Sequence, residues 1–266
     1  MCYDVSFTTS IRVLADYFPD LVFDDQIEME FGSVDHVQGV GMFGKYPVIY
    51  INRDDLKEHC RLMEWGIIPF YSKTEPLIAA RNGFLNIRAE RVWDDPKSYW
   101  YKIKNRRCLI PVTGIYEHRA IKGWKKKVPY WVRPKDQTTF FIPGLYSVAE
   151  IVDKNTGELI KRWTYGLITR AANSVMRNIH NDGDNRYRMP LFVPLEMAKE
   201  FLREGLTEQR YRDILAYEMP SEDLEYRSVF TIRTPKLRPD DKPKTEFWDW
   251  EHLPPLGEMN PEIAEV

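Results

Sequence analysis

Cys2 stands directly behind the initiator methionine in MCYDVSFTTS. If Met1 is removed, the usual fate of Met before a small residue, Cys2 carries a free α-amine and a thiol on adjacent carbons. An amine of pKa about 8 is unprotonated often enough near neutrality to attack an aldehyde and form a Schiff base. A thiol of ordinary pKa about 8.5 can then add to the imine carbon, closing a five-membered thiazolidine intramolecularly. Such chemistry needs acid and base groups. Glu117 is the single acid among eleven Lys/Arg in residues 101–135, at the end of the apolar run LIPVTGIYE. Burial would raise its pKa and the neighbouring cations would lower it, so the net direction stays open; taken alone, a structural ion pair is its commoner role. His180, in AANSVMRNIHNDGDNRYRMPLF, follows a short helical stretch and precedes a loop rich in Asn, Asp and Gly. It can act as acid or base near neutral pH, or simply cap the turn. Asn86 and Arg88, in LNIRAER, follow the turn-like RNG at 81–83. An amide can orient an amine and a guanidinium can hold a phosphate bidentately. The plainer alternatives are a turn cap for Asn86 and an ion pair with Glu90 or Glu64 for Arg88. His36, His59, His118 and His252 have no ligand-like spacing, and Cys2, Cys60 and Cys108 lack CxxC spacing. Neither a metal site nor a disulfide framework is expected.

The elements that must position these residues read mainly as strands. PVIYIN (47–52), LMEWGIIPF (62–70), CLIPVTGIYEH (108–118), VPYWVRP (128–134), TTFFIPGLYSVAEIV (138–152) and RWTYGLITR (162–170) are β-branched and aromatic-rich, bounded by Gly, Pro or charged turns. Helical periodicity is weaker and falls after Ser10 and at 171–179, 194–204 and 208–217. The pattern predicts an α+β fold: one domain over 1–234 with a large, mostly antiparallel, barrel-like sheet and flanking helices. Residues 235–266 read as an acidic, loosely packed extension that Trp248 and Trp250 could dock. No apolar run approaches the roughly 20 residues that span a bilayer and no signal segment is evident, so no membrane partner and a cytoplasmic location are expected.

The net charge of −2 hides an uneven distribution. Residues 1–40 carry eight Asp/Glu and one Arg, and residues 240–266 carry eight Asp/Glu and two Lys, whereas 101–135 are strongly basic. Cations mixed with Tyr and Trp suit a polyanion with unpaired bases, although a charge run is more often a solvated face.

In order along the chain, MCY, MEWGIIPFY, LNIRAER, RRCLIPVTGIYEH, TRAANSVMRNIH and RMPLF resemble the SRAP family, the SOS response-associated peptidase-like proteins that attach to abasic sites in DNA. The resemblance runs from residue 2 to about 193, with RRCLIP and the following Gly-x-Tyr-Glu its most specific part. It implies a mostly β fold in which Cys2, as the mature N-terminus, crosslinks to the aldehyde of an abasic site in single-stranded DNA in the DNA damage response. It also implies thiol autopeptidase removal of Met1. Carried over residue by residue, the catalytic set is Cys2, Asn86, Glu117 and His180. The phosphate-contacting arginines are Arg88 and Arg188, and Trp65 and Gly66 belong to a segment at the DNA surface. The amine–thiol chemistry requires no metal or organic cofactor, and a monomer is expected.

Three departures stand out. Family members commonly read MCGRF, whereas Tyr3 and Asp4 put an aromatic and an acid where a small residue and a cation are usual, which implies weaker DNA affinity. Tyr-Glu-Trp becomes Tyr116-Glu117-His118, removing an indole. The histidine usually stands two residues before Arg-Met-Pro, but here seven residues separate His180 from Arg188. Two rival functions use the same residues: a non-catalytic single-strand binding module, and an N-terminal-nucleophile thiol hydrolase, which would need a preorganised oxyanion hole.

Overall fold

A computed structural model describes residues 2–24, 27, 31–234 and 237–261. In chain order its strands are β1 (Asp4–Phe7), β2 (Val22–Phe23), β3 (Val34–Gln38), β4 (Lys45–Ile51), β5 (Glu58–Trp65), β6 (Asn86–Arg88), β7 (Arg107–Val112), β8 (Gly114–Arg119), β9 (Val128–Pro134), β10 (Phe140–Val152), β11 (Leu159–Ala171), β12 (Arg188–Pro190) and β13 (Leu224–Ser228). The α-helices are α1 (Leu14–Tyr17), α2 (Ile78–Asn82), α3 (Glu90–Trp93), α4 (Tyr99–Lys102), α5 (Ser174–Ile179), α6 (Leu195–Leu202) and α7 (Glu208–Ala216).

Five strands close into a barrel in the order β11-β10-β7-β4-β5. The neighbours are antiparallel except at the closure, where β5 meets β11 in parallel, Thr164 opposite Glu64 and Tyr165 opposite Trp65. The barrel interior is filled by large side chains such as Trp65, Tyr46 and Tyr165, so it is a packed core and not a pore. β6 and β12 extend β11 beyond the closure, β6 parallel and β12 antiparallel. A second, antiparallel sheet runs β13-β9-β8-β1-β3. The fold is therefore the expected single α+β domain with a barrel-like, mostly antiparallel sheet.

The run LIPVTGIYE, expected as one continuous strand, instead divides at Thr113: β7 belongs to the barrel and β8 to the second sheet. Both halves are apolar because both are buried, and that hides the switch in the sequence. Local groups mark it. The Thr113 amide donates to the Ser6 carbonyl (2.8 Å), and the two hydroxyls are 3.1 Å apart. Gly114 leaves room for the Trp131 indole, which a Cβ there would approach to 2.1 Å.

The expected helices are present, and Asn173 and Thr207 cap α5 and α7 by accepting from the amides of Met176 and Arg210. α2, α3 and α4 have only four or five residues, too few to show a 3.6-residue period, and were not anticipated.

The described part of the C-terminal extension is tied to the body of the protein at several points. The Trp248 amide donates to the Ser228 carbonyl and Trp250 Nε1 to the Val229 carbonyl, both at 2.9 Å. Arg119, fully buried on β8, donates to the carbonyls of Pro254 (2.9 Å), Pro255 (2.7 Å) and Glu258 (2.7 Å). Backbone carbonyls thus take up the terminal nitrogens of a buried cation, an interaction composition does not reveal. Among the described residues no helix is long and apolar enough to cross a membrane.

Candidate active site at the seam between the sheets

β1 lies between β3 and β8, with Asp4 opposite both Gln38 and Tyr116. This places Cys2, just ahead of β1, fully buried where the second sheet meets β6. Asn86 opens β6 and donates through Nδ2 to the Cys2 carbonyl at 2.8 Å. Its Oδ1 is buried and has no hydrogen-bond partner among the described residues. The Cys2 thiol makes a long contact of 3.6 Å to the Asp4 carbonyl. Burial pushes its pKa well above the ordinary thiol value, and the charges of Glu117 and Asp4 push it further.

Glu117 projects from β8, and its Oε2 lies 3.9 Å from His180 Nε2. Both side chains are buried. His180 follows α5 directly, and its Nδ1 lies 2.9 Å from the Arg188 carbonyl and 3.3 Å from the Arg188 amide. An Nδ1–H donated to that carbonyl leaves Nε2 facing Glu117 as the proton acceptor. Burial lowers the pKa of His180 against the opposing pull of Glu117, which favours the neutral imidazole. The long loop between His180 and Arg188 does not separate them. The Tyr187 amide donates to the His180 carbonyl (2.8 Å), and Tyr187 turns back at φ 62°, so the extra residues form an excursion closed at its base.

The structure thus brings four of the sequence-predicted residues, Cys2, Asn86, Glu117 and His180, to one seam from four separate stretches of chain. The remaining four divide. Arg88 is exposed and donates to Asn185 Oδ1 at 3.1 Å. Arg188 is buried; it holds Glu90 through Nη1 (2.5 Å) and Nη2 (2.9 Å), and Nη2 also reaches the Thr169 carbonyl (2.7 Å). Glu90 therefore pairs with Arg188, and Glu64 pairs with Arg81 and Arg162, so neither forms the ion pair expected for Arg88. Trp65 points into the core, where it donates to the Leu85 carbonyl (3.1 Å) and stacks on Tyr165 at 15°. Only 1% of it is exposed, so its ring offers no face to a strand. Gly66, at φ +106°, turns the chain beside it. Apolar WGIIP reads equally well as surface or core, which is why the placement of Trp65 was not legible.

Sequence reasoning missed Asp4, His36 and Arg233. Asp4 is 1% exposed and accepts from His36 Nε2 (2.8 Å) and from Arg233 Nε (2.9 Å) and Nη2. Burial opposes ionisation, but these hydrogen bonds and the Arg233 charge hold its pKa below the usual carboxylate value. The basic run does not form one face. Arg119 is internal, Arg133 pairs with Glu225, and Lys127, paired with Asp182 at 2.8 Å, reaches the site.

A cavity of about 440 Å³ opens in front of the seam, lined by Tyr3, Asp4, Glu117, His118, His180 and Arg233 among others. A second, of about 410 Å³, is lined by Phe84, Asn86, Arg88, Tyr99 and Trp100. Asn185 borders both, so the two hollows flank one ridge. No cluster of His, Cys, Asp and Glu among the described residues could hold a metal ion.

A closed five-stranded barrel, joined through a strand switch to a second sheet, with a buried cysteine and a Glu–His pair at the seam, defines the class of protein. Residues 1–232 match the family model described as SOS response associated peptidase (SRAP), and the chain belongs to that family. It is 28% identical over 192 residues to the abasic site processing protein YoqW of Bacillus subtilis, covering 71% of this chain and 78% of that protein. It is 27% identical over 193 residues to the abasic site processing protein YobE of the same organism, covering 71% and 80%. A crystal structure of a protein from Bacteroides thetaiotaomicron superposes with a TM-score of 0.71 at 27% identity, covering 86% of this chain and 92% of that one.

Proposed function

We propose that this protein processes abasic sites in DNA by crosslinking to the ring-opened sugar through Cys2, exposed as the N-terminal residue once its own thiol chemistry has removed Met1. The observation that carries the reading is the convergence of Cys2, Asn86, Glu117 and His180 on one buried seam that opens into a cavity.

The amine adds to the C1′ aldehyde, the carbinolamine loses water, and an imine remains. The thiol then adds to the imine carbon while its proton passes to the imine nitrogen, which gives the thiazolidine. The order follows from the site: burial and two carboxylates keep the Cys2 thiol protonated, so the amine acts first and the sulfur needs a base. Glu117 accepts and returns that proton, with neutral His180 beside it as the relay. Asn86 fixes the Cys2 backbone through Nδ2, and its vacant Oδ1 is the acceptor for the amine N–H. A single strand is the favoured substrate, because the second hollow presents the half-buried rings of Phe84 and Tyr99, aromatic groups suited to unpaired bases.

The test is denaturing gel mobility and intact mass after mixing with an abasic single strand. Processed wild type gives an adduct that survives denaturation without reductant. Cys2→Ser, prepared with the substituted residue already first in the chain, gives only a Schiff base that borohydride traps, and a chain blocked ahead of Cys2 gives no stable adduct. A stable adduct from the blocked chain, or none from processed wild type, overturns the reading.

A further inference from the structure

We infer that Arg233, the first residue beyond the family-matched stretch, is a phosphate-binding residue of the cavity. The inference rests on the proposed abasic-site reading for its substrate, a DNA strand, and on separate geometry for the residue.

Position 4, where a cation is usual next to the nucleophile, holds Asp4. Left alone, a buried carboxylate in the wall of the cavity would repel a polyanion. The chain answers it from the far end of the sequence. Beyond Ile232, which is buried against the second sheet, the backbone carries Arg233 across the mouth of the site. Asp4 grips Nε and Nη2 in a two-pronged pair, with His36 holding the same carboxylate from the other side. The fork geometry fixes the guanidinium plane and leaves Nη1, with no hydrogen-bond partner among the described residues, as an oriented charged donor.

Three features distinguish Arg233 from an ordinary surface arginine. The side chain of its partner is 2% exposed while its own is 36% exposed, so one edge is anchored in the interior and the other meets solvent. It lines the same cavity as Glu117 and His180. Its field reaches Cys2 and Glu117. Arg188, by contrast, has both terminal nitrogens on Glu90. Asp4 is thus a positioning residue for Arg233.

The experiment measures equilibrium binding of an intact, undamaged single-stranded oligonucleotide across a salt series, with adduct formation on an abasic oligonucleotide and thermal unfolding recorded in parallel. Arg233→Gln is expected to weaken strand binding about five- to twentyfold and to flatten the salt dependence, the loss typical of one charge-assisted contact. Arg233→Lys keeps the charge without the fork and should retain the salt slope with an intermediate affinity. Wild-type affinity and slope in Arg233→Gln overturn the inference, as do affinities that follow melting temperature instead of charge at position 233. Wild type that binds through Arg233 but forms no adduct leaves this inference standing and removes the crosslinking reading. An adduct-forming wild type whose affinity ignores position 233 does the reverse.

Discussion

The barrel interior and the seam both bury cysteines, and they bury them to different ends. Cys108, inside the barrel, has its pKa raised by burial alone, and a Cβ on Gly144 would approach its sulfur to 3.2 Å. Cys60 is raised by burial and then by Asp24. Cys2 is equally buried and its pKa is likewise raised, yet it lies beside the fields of two carboxylates and against an amide whose Oδ1 has no partner among the described residues. Burial favours the thiol form of all three; what sets Cys2 apart is its place at the seam with the Glu117–His180 pair beside it.

The contrast is broken or upheld first by exchanging the cysteines. Cys2→Ala should abolish the stable adduct entirely, whereas Cys108→Ala should keep it at the wild-type rate and lower stability by about 1–2 kcal/mol, read by denaturant unfolding, through the void it leaves in a packed barrel. Loss of the adduct in Cys108→Ala would erase the distinction. Next, Glu117→Gln keeps the shape and removes the base; single-turnover crosslinking should slow by about 10²- to 10⁴-fold with strand affinity unchanged.

A smaller effect separates the two regions by pH. His118 and His180 near the seam are held below the ordinary histidine value by burial. The unfolded chain therefore binds protons more readily, and the stability these residues permit, intact above about pH 6.5, is lost as pH falls through their folded values. His59, at the barrel, is opposite in sign. Burial pulls its pKa down, but hydrogen bonds to Asp24 (2.7 Å) and Asp55 (2.9 Å) carry it above the ordinary value. Its contribution is present below about pH 6.5 and is lost as pH rises through its folded pKa. Melting temperatures from pH 5 to 8 should show a shallower acid-side fall in His180→Asn and a steeper one in His59→Gln. The smallest change is expected for exposed Arg88→Ala: strand affinity down about two- to fivefold for all sequences alike, and no change in stability.

Much of this was legible in the sequence. The barrel strands announce themselves because runs such as TTFFIPGLYSVAEIV have no other stable use than a buried sheet. Closure of the barrel by β5 against β11 was not, since a parallel register between segments about a hundred residues apart leaves no local trace. Cys2, Asn86, Glu117 and His180 could be picked out by type and motif order. The Asp4–Arg233 pair could not, its members standing 229 positions apart. Trp65 was misplaced because an indole suits a core as well as a base.

The position of β1 also has a mechanical meaning. It is bonded along one side to β3 and along the other to β8. In the proposed adduct, a tug on the DNA would reach the protein through the leading end of a strand clamped on both edges. A load along the strand axis would be shared among its hydrogen bonds at once instead of opening them one at a time. The attachment point would thus resist being peeled away for as long as the second sheet stays folded.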